Sequence, residues 1–367
     1  MLNKLGLMEI KLFREKMKFI TLLLITILFS ISSNASELEN LIKEDYKAYS
    51  DSLENNITSL TLMSDGKNTK TFLLSNKEEE LETPIFQIGS VSKLFVAHAL
   101  VSLVESGDLK LSTNLKSIMP YAIFKDTNIA NITLLQLANH TSGLPRLPIN
   151  IFVGQKDSLQ PYENYTNAML LNFLSNYELV RKPGSSYEYS NLGFGALGNS
   201  LDIYLRKNKK ISLDDYIKTE LFDKIGMNDT GLKLTTEQQS REVQPYMENT
   251  TIPAWNFDVL KWAGAYYSTS EDLAKYLNQF VTKTPILSDK VLEKLRQITF
   301  EANKNMRMSL GWHITPLNKT TVFWHNGNTY GNSAFIGYTT DGKFISILSN
   351  SNRILDNVAV DILSNMK

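Results

Sequence analysis

Strand-like patterns occur in this chain only towards its two ends, and a long stretch of helical periodicity separates them. Ser59 to Met63 and Thr71 to Leu74 flank the turn signal Asp65-Gly66 and predict a hairpin. Thr320 to Trp324, Ser333 to Thr339 and Phe344 to Leu348 predict three further strands linked by Gly or Asp-Gly turns. From about Leu111 to Ser240 the pattern is mostly helical, with loops rich in Pro, Asn and Gly around Pro145 to Tyr165 and Arg181 to Tyr187. A lone hairpin is marginal in water, so strands at both ends must meet in one sheet. The fold class expected is therefore α/β of the α+β type: an antiparallel sheet flanked by helices, with an inserted all-α lobe. Residues 38–110 plus 241–367 would build the sheet domain and 111–240 the lobe, together one functional unit. Leu38 to Leu53, Val91 to Glu105, Ser270 to Phe280 with Ser270 as N-cap, and Val358 to Leu363 are the helices expected around the sheet.

Composition narrows the function. Lys+Arg and Asp+Glu both number 38, so no electrostatic footprint for nucleic acid exists. There is no cysteine, which excludes disulfides, thiolate catalysis and Cys-ligated metal or iron-sulfur sites. Lys16 and Lys18, the apolar run Phe19 to Phe29 and the small residues up to Ala35 have the three-part layout of a secretory signal peptide over residues 1–35, with Met17 an alternative start. That run is shorter than the about 20 residues a bilayer core needs, so no stable membrane anchor is expected once the leader is cleaved. A periplasmic or secreted protein follows, and a monomer is expected.

The chemistry centres on Gly89-Ser90-Val91-Ser92-Lys93, at the junction of an apolar run and a helix. Positions i and i+3 share a helix face about 5 to 6 Å apart, so Lys93 reaches the Ser90 hydroxyl. Serine is a poor nucleophile unless a neighbouring base takes its proton, and a lysine serves when burial and nearby positive potential depress its pKa. The Ser-x-x-Lys pattern also occurs at Ser64 to Lys67 and Ser364 to Lys367, but only the copy at Ser90 has the strand, the glycine and the apolar helix behind it. Two more polar segments offer partners: Pro183 to Asn191, which supplies Tyr189 and Asn191, and Trp324-His325-Asn326-Gly327-Asn328, where Gly327 permits close approach of a substrate backbone.

Ser90-x-x-Lys93, Tyr189-x-Asn191 and His325-x-Gly327 resemble, in order and spacing, the three motifs of the penicillin-recognising serine hydrolases, specifically class C β-lactamases and their D,D-carboxypeptidase and esterase relatives. Phe86 to Gly89, His140 to Pro145, Ala263 to Thr269 and Leu310 to Trp312 extend the likeness to nearly everything after residue 38. The resemblance implies a β-lactamase/transpeptidase-like fold with no cofactor and no metal. It implies an acyl-enzyme at Ser90, with Lys93 and Tyr189 moving the proton and a Tyr189 pKa lowered by Lys93. Asn191 would hold the substrate amide and Lys93; the backbone N–H groups of Ser90 and Asn328 would form the oxyanion hole; His325 and Gly327 would line the substrate site. The substrate implied is a small molecule or a peptidoglycan peptide, a β-lactam or D-Ala-D-Ala-like peptide; the alternatives are an esterase on small acyl esters and a penicillin-binding envelope protein with negligible turnover. Class C β-lactamases usually carry lysine at the position of His325, so carboxylate recognition here is expected to be weaker and pH-dependent.

Gly193-Phe194-Gly195-Ala196-Leu197-Gly198 spells a dinucleotide-binding pattern, but it follows a polar loop rather than a strand and is read as a device for close helix packing. His98 is expected in the core, and His140 and His313 in turns with structural hydrogen bonds. Trp255, Trp262, Tyr266 and Trp312 are read chiefly as core aromatics.

Overall fold

The computed structural model describes residues 37–76 and 82–366. The leader expected at residues 1–35 lies outside the described residues, among which no helix is long and apolar enough to cross a membrane.

The two ends of the chain do share a sheet. Strands β1 (Ile57–Met63), β2 (Lys70–Ser75), β3 (Phe300–Asn303), β4 (Met306–Met308), β5 (His313–Leu317), β6 (Thr320–Asn328), β7 (Ser333–Thr339) and β8 (Phe344–Ser349) form one antiparallel sheet in the order β2-β1-β8-β7-β6-β5-β4-β3. The first strand lies beside the last, with Leu60 opposite Ile347. At the hairpin, Asp65 accepts the N–H groups of Lys67 and Asn68 while Gly66 takes a positive φ of 72°.

Helices cover both faces. Leu60, Leu62, Phe335, Ile345 and Ile347 point to one side, against Ile42 and Tyr49 of α1 (37–49) and Ala359, Ile362 and Leu363 of α5 (Asp356–Asn365). Ala334, Ile336, Phe344 and Leu348 point to the other, into a core built on α2 (Ser92–Glu105), α3 (Asn191–Asn208) and α4 (Ser270–Val281). Burial on both faces is why β1, β7 and β8 are buried along their whole length. Residues 111–240 carry short helices and α3, and the stretch 140–166 between them is loop.

Three local expectations change. Thr269, not Ser270, caps α4 by accepting the N–H of Asp272 at 3.1 Å; the Ser270 hydroxyl instead meets Ser59 at 2.7 Å and Thr61 at 2.8 Å, pinning the helix to β1. The opening helix stops at residue 49 and gives way to turns. Strands β3 to β5 extend the sheet beyond what the sequence suggested, because these short, partly exposed segments lack the apolar alternation of a covered strand.

Candidate active site

Helix α2 is apolar all round, with Leu94 to Ala97, Leu100 and Val101 essentially inaccessible, and so it runs through the core. A single 3-10 turn, Gly89–Val91, leads into it. Ser92 fixes that turn, its hydroxyl donating to the Gly89 carbonyl at 2.6 Å and accepting the N–H of Tyr266 at 3.1 Å. Ser90 is left partly open to solvent while Lys93, one turn on, has no exposed surface at all.

The Lys93 Nζ lies 2.8 Å from Ser90 Oγ and donates to the Ala263 carbonyl at 2.6 Å. No carboxylate pairs with it among the described residues. Keeping an unpaired ammonium in such a place would cost several kcal/mol. Burial, and then the positive charge of Arg146, therefore hold Lys93 well below the ordinary lysine range. The amine thus stands within hydrogen-bond distance of the serine hydroxyl, the geometry a general base needs.

Strand β6 closes on this turn from the other side. Gly89 sits at φ +52°, and a Cβ there would come within 2.8 Å of the Asn328 nitrogen; a Cβ at Gly327 would overlap the Ile88 carbonyl oxygen and lie 2.9 Å from the Ser90 nitrogen. Two glycines thus let the nucleophile turn and the strand end touch through their backbones, bringing the amides of Ser90 and Asn328 to one place. Alternation along β6 leaves Trp324, Asn326 and Asn328 partly open and turns His325 and Gly327 inward.

A cleft of about 360 Å³ opens here. Ser90, His313, Trp324, Asn326 and Asn328 line it from the sheet side, and Arg146, Tyr162, Tyr187, Tyr189 and Asn191 from the helical segment. Tyr189 lines the same cleft as Ser90, and Lys93 Nζ lies 5.0 Å from the centre of its ring. Asn191 opens α3 and donates from Nδ2 to the Tyr162 hydroxyl at 2.9 Å, leaving its buried Oδ1 without a partner.

A model of the beta-lactamase family matches residues 82–363. The chain belongs to the beta-lactamase family. Among relatives of this beta-lactamase-family chain, the beta-lactamase of Escherichia coli (strain K12) is 25% identical over 254 residues, 68% of this chain and 63% of that protein. Protein flp of Staphylococcus aureus (strain N315) is 24% identical over 311 residues, 78% of this chain and 58% of that protein. The chain thus spans less than two thirds of the length of these relatives. Among solved structures, a class C beta-lactamase superposes with a TM-score of 0.77 at 19% identity, covering 90% of this chain and 97% of that one. The D-alanine carboxypeptidase AmpC from Burkholderia cenocepacia gives a TM-score of 0.74 at 18% identity, covering 90% and 99%. The fold is that of the class C beta-lactamases.

Against this family frame, several side chains differ from expectation. His325 is fully buried and does not line the cleft. Its Nδ1 donates to the Asn326 carbonyl at 2.6 Å and its Nε2 has no partner; burial, then His313 and Lys93, depress its pKa well below the usual range. It is neutral rather than partly charged at neutrality. Burial likewise raises the Tyr189 phenol, against the expected lowering, so Tyr189 stays protonated. Asn191 makes no hydrogen bond to Lys93, whose second partner is Ala263.

His140 accepts the Ser190 N–H at Nδ1 over 3.0 Å and lies with its ring centre 4.4 Å from that of Tyr189, tilted by 32°, which orients the Tyr189 loop. His313 starts strand β5 instead of sitting in a turn, meets the Tyr187 hydroxyl at 3.0 Å and has its pKa lowered to about 4, mainly by burial. Of the four aromatics read as core, only Trp255 reaches the cleft. The Gly195 and Gly198 positions press α3 against Leu260 and Trp262, where any Cβ would overlap those side chains, so the glycine pattern serves packing. The sequence reading missed Arg146, Tyr162 and Phe257 as cleft residues.

Proposed function

We propose that this chain is an exported serine acyl hydrolase that forms an acyl-enzyme at Ser90 with β-lactams or D-Ala-D-Ala-like peptides. The observation that carries the reading is a fully buried, charge-suppressed lysine amine 2.8 Å from a solvent-open serine hydroxyl. The Ser90 oxygen attacks the carbonyl carbon as its proton passes to Lys93. The N–H groups of Ser90 and Asn328 receive the oxyanion, a contribution of roughly 3 to 4 kcal/mol per donor in such sites. The Lys93 proton then travels through the Tyr189 hydroxyl to the leaving nitrogen or oxygen as its bond to carbon breaks. Asn191 Oδ1, buried and unpartnered, accepts a substrate amide N–H. Water attacks the ester carbon, Lys93 again takes the proton, and Ser90 is released. Export rests on the leader-like segment at residues 1–35, and the two-lobed domain division on the strand pattern at the two ends.

A second outcome of the same chemistry is favoured by the raised phenol of Tyr189. With no standing phenolate to assist the water, deacylation falls to Lys93 alone, and a long-lived acyl-enzyme is the consequence. Intact-mass measurement with a penicillin and with a p-nitrophenyl ester, on the wild-type chain and Ser90→Ala, tests the reading. A wild-type adduct or turnover, lost by at least about 10⁴-fold in Ser90→Ala, is expected. A persistent penicilloyl adduct marks a penicillin-binding protein, rapid release a β-lactamase, and turnover of the ester alone an esterase. Equal product from Ser90→Ala would overturn the proposal.

A further inference from the structure

Among the described residues the cleft contains one solvent-accessible cation, and it is not where the family resemblance would place it. Lys93 is inaccessible and its amine is committed to Ser90 and Ala263; His325 is buried outside the cleft. Arg146 lines the cleft, is exposed, and lies with its guanidinium carbon 4.9 Å from the centre of the Tyr189 ring. Its backbone is fixed, because its carbonyl accepts the N–H groups of Asn191 at 3.0 Å and Leu192 at 3.2 Å at the start of α3. Its side chain is not committed: no hydrogen bond or ion pair reaches the guanidinium among the described residues, and no carboxylate lines the cleft. A guanidinium stacked on an aromatic face keeps its edge donors free in a planar fork, the geometry that matches a carboxylate with two parallel hydrogen bonds.

We infer that Arg146 is the anion-recognising residue of this cleft, and that the substrates are acyl donors bearing a carboxylate, held from the helical side rather than from strand β6. This rests on the acyl-hydrolase reading and narrows it. The carboxylate belongs to either the acyl part or the leaving group, both being within reach of a residue beside Tyr189 and Asn191.

Matched esters test it: p-nitrophenyl hemisuccinate against p-nitrophenyl butyrate for an acyl-side carboxylate, and 3-carboxy-4-nitrophenyl acetate against p-nitrophenyl acetate for a leaving-group one. The ratio of kcat/KM within a pair cancels any effect of Arg146 on Lys93. In at least one pair the ratio should fall about 10- to 100-fold in Arg146→Gln, be largely retained in Arg146→Lys, and decline with added salt only where the cation is present. Ratios in both pairs that are the same in Arg146→Gln as in the wild type would overturn the inference. Binding is read separately in Ser90→Ala, where Trp255 and Trp324 in the cleft report by fluorescence. There, N-acetyl-D-alanyl-D-alanine should bind more tightly than its C-terminal amide only while Arg146 is present; equal loss or equal retention of both ligands on Arg146→Gln would count against Arg146. A wild-type chain that turns over no ester and forms no adduct would instead sink the acyl-hydrolase reading, with the fluorescence comparison still deciding the role of Arg146.

Discussion

The two sides of the cleft are built differently. On the sheet side, strand β6 and the Gly89–Val91 turn meet backbone to backbone, with glycines where side chains would intrude and with His325 and His313 held neutral by burial. On the helical side, Arg146, Tyr162, Tyr187 and Tyr189 bring long polar side chains from a loop-rich segment, and one of them carries a permanent charge. Rigid backbone donors with no ionised neighbour suit a transition state whose charge appears and disappears at one oxygen. Adjustable side chains suit the choice of substrate. On the proposed acyl-hydrolase reading, the division places the reaction on the sheet side and recognition on the helical side, with Lys93 and Tyr189 at the seam.

The strongest way to break this division is Lys93→Met. If the sheet side supplies the base, Ser90 acylation by an activated ester should fall by about 10² to 10⁴ while the anionic-to-neutral substrate ratio stays put. Because Lys93 acts only when unprotonated and its pKa is depressed, wild-type kcat/KM should rise through an acid limb well below the lysine range. Loss of substrate preference with little loss of acylation rate in Lys93→Met would refute it.

Gly327→Ala should have the next largest effect. Its methyl group would overlap the Ile88 carbonyl and push β6 away from the Ser90 amide, separating the two donors. A loss of about 10² to 10³ in kcat, with KM much less affected, is expected. Thermal melting run alongside separates this from unfolding, and a kcat loss below tenfold in a folded variant would mean the donors lie elsewhere.

Much of the sheet side was legible in the sequence, because it depends on local spacing. The i, i+3 relation of Ser90 and Lys93, the glycines at 89 and 327, and the strand ending in Asn328 all follow from neighbours along the chain. The helical side was less legible. Arg146 follows Pro145 in a loop, and nothing local says that its guanidinium turns into a cleft. The neutrality of His325 was hidden too, since it arises from packing of β6 against elements remote in sequence, as does the raised phenol of Tyr189. Strands β3 to β5, at one end of the sheet, were invisible because half-exposed strands need little apolar patterning.

The smallest expected effect sharpens the comparison through stability rather than rate. His313 has a folded pKa of about 4 against an ordinary value near 6.5, and burial depresses His140 and His325 in the same direction. Between those two values the unfolded chain binds more protons than the folded one, so stability falls as pH drops from about 6.5 towards 4. For His313 the slope is on the order of 1 kcal/mol per pH unit across that window. Asp45, whose pKa is raised to about 6 chiefly by burial, runs the other way, since its folded form retains the proton. His98 is depressed with the other three histidines, and Asp214, Glu242 and Asp356 are raised with Asp45, so the contribution of His313 is read as the difference between variant and wild type rather than from the net slope. His313→Gln should therefore make the decline of Tm between pH 6.5 and 4 shallower, whereas Arg146→Gln, on the solvated helical side, should leave that decline as it is. An unchanged slope in His313→Gln would mean that the imidazole is already protonated in the folded protein, and that the sheet side is not free of charge after all.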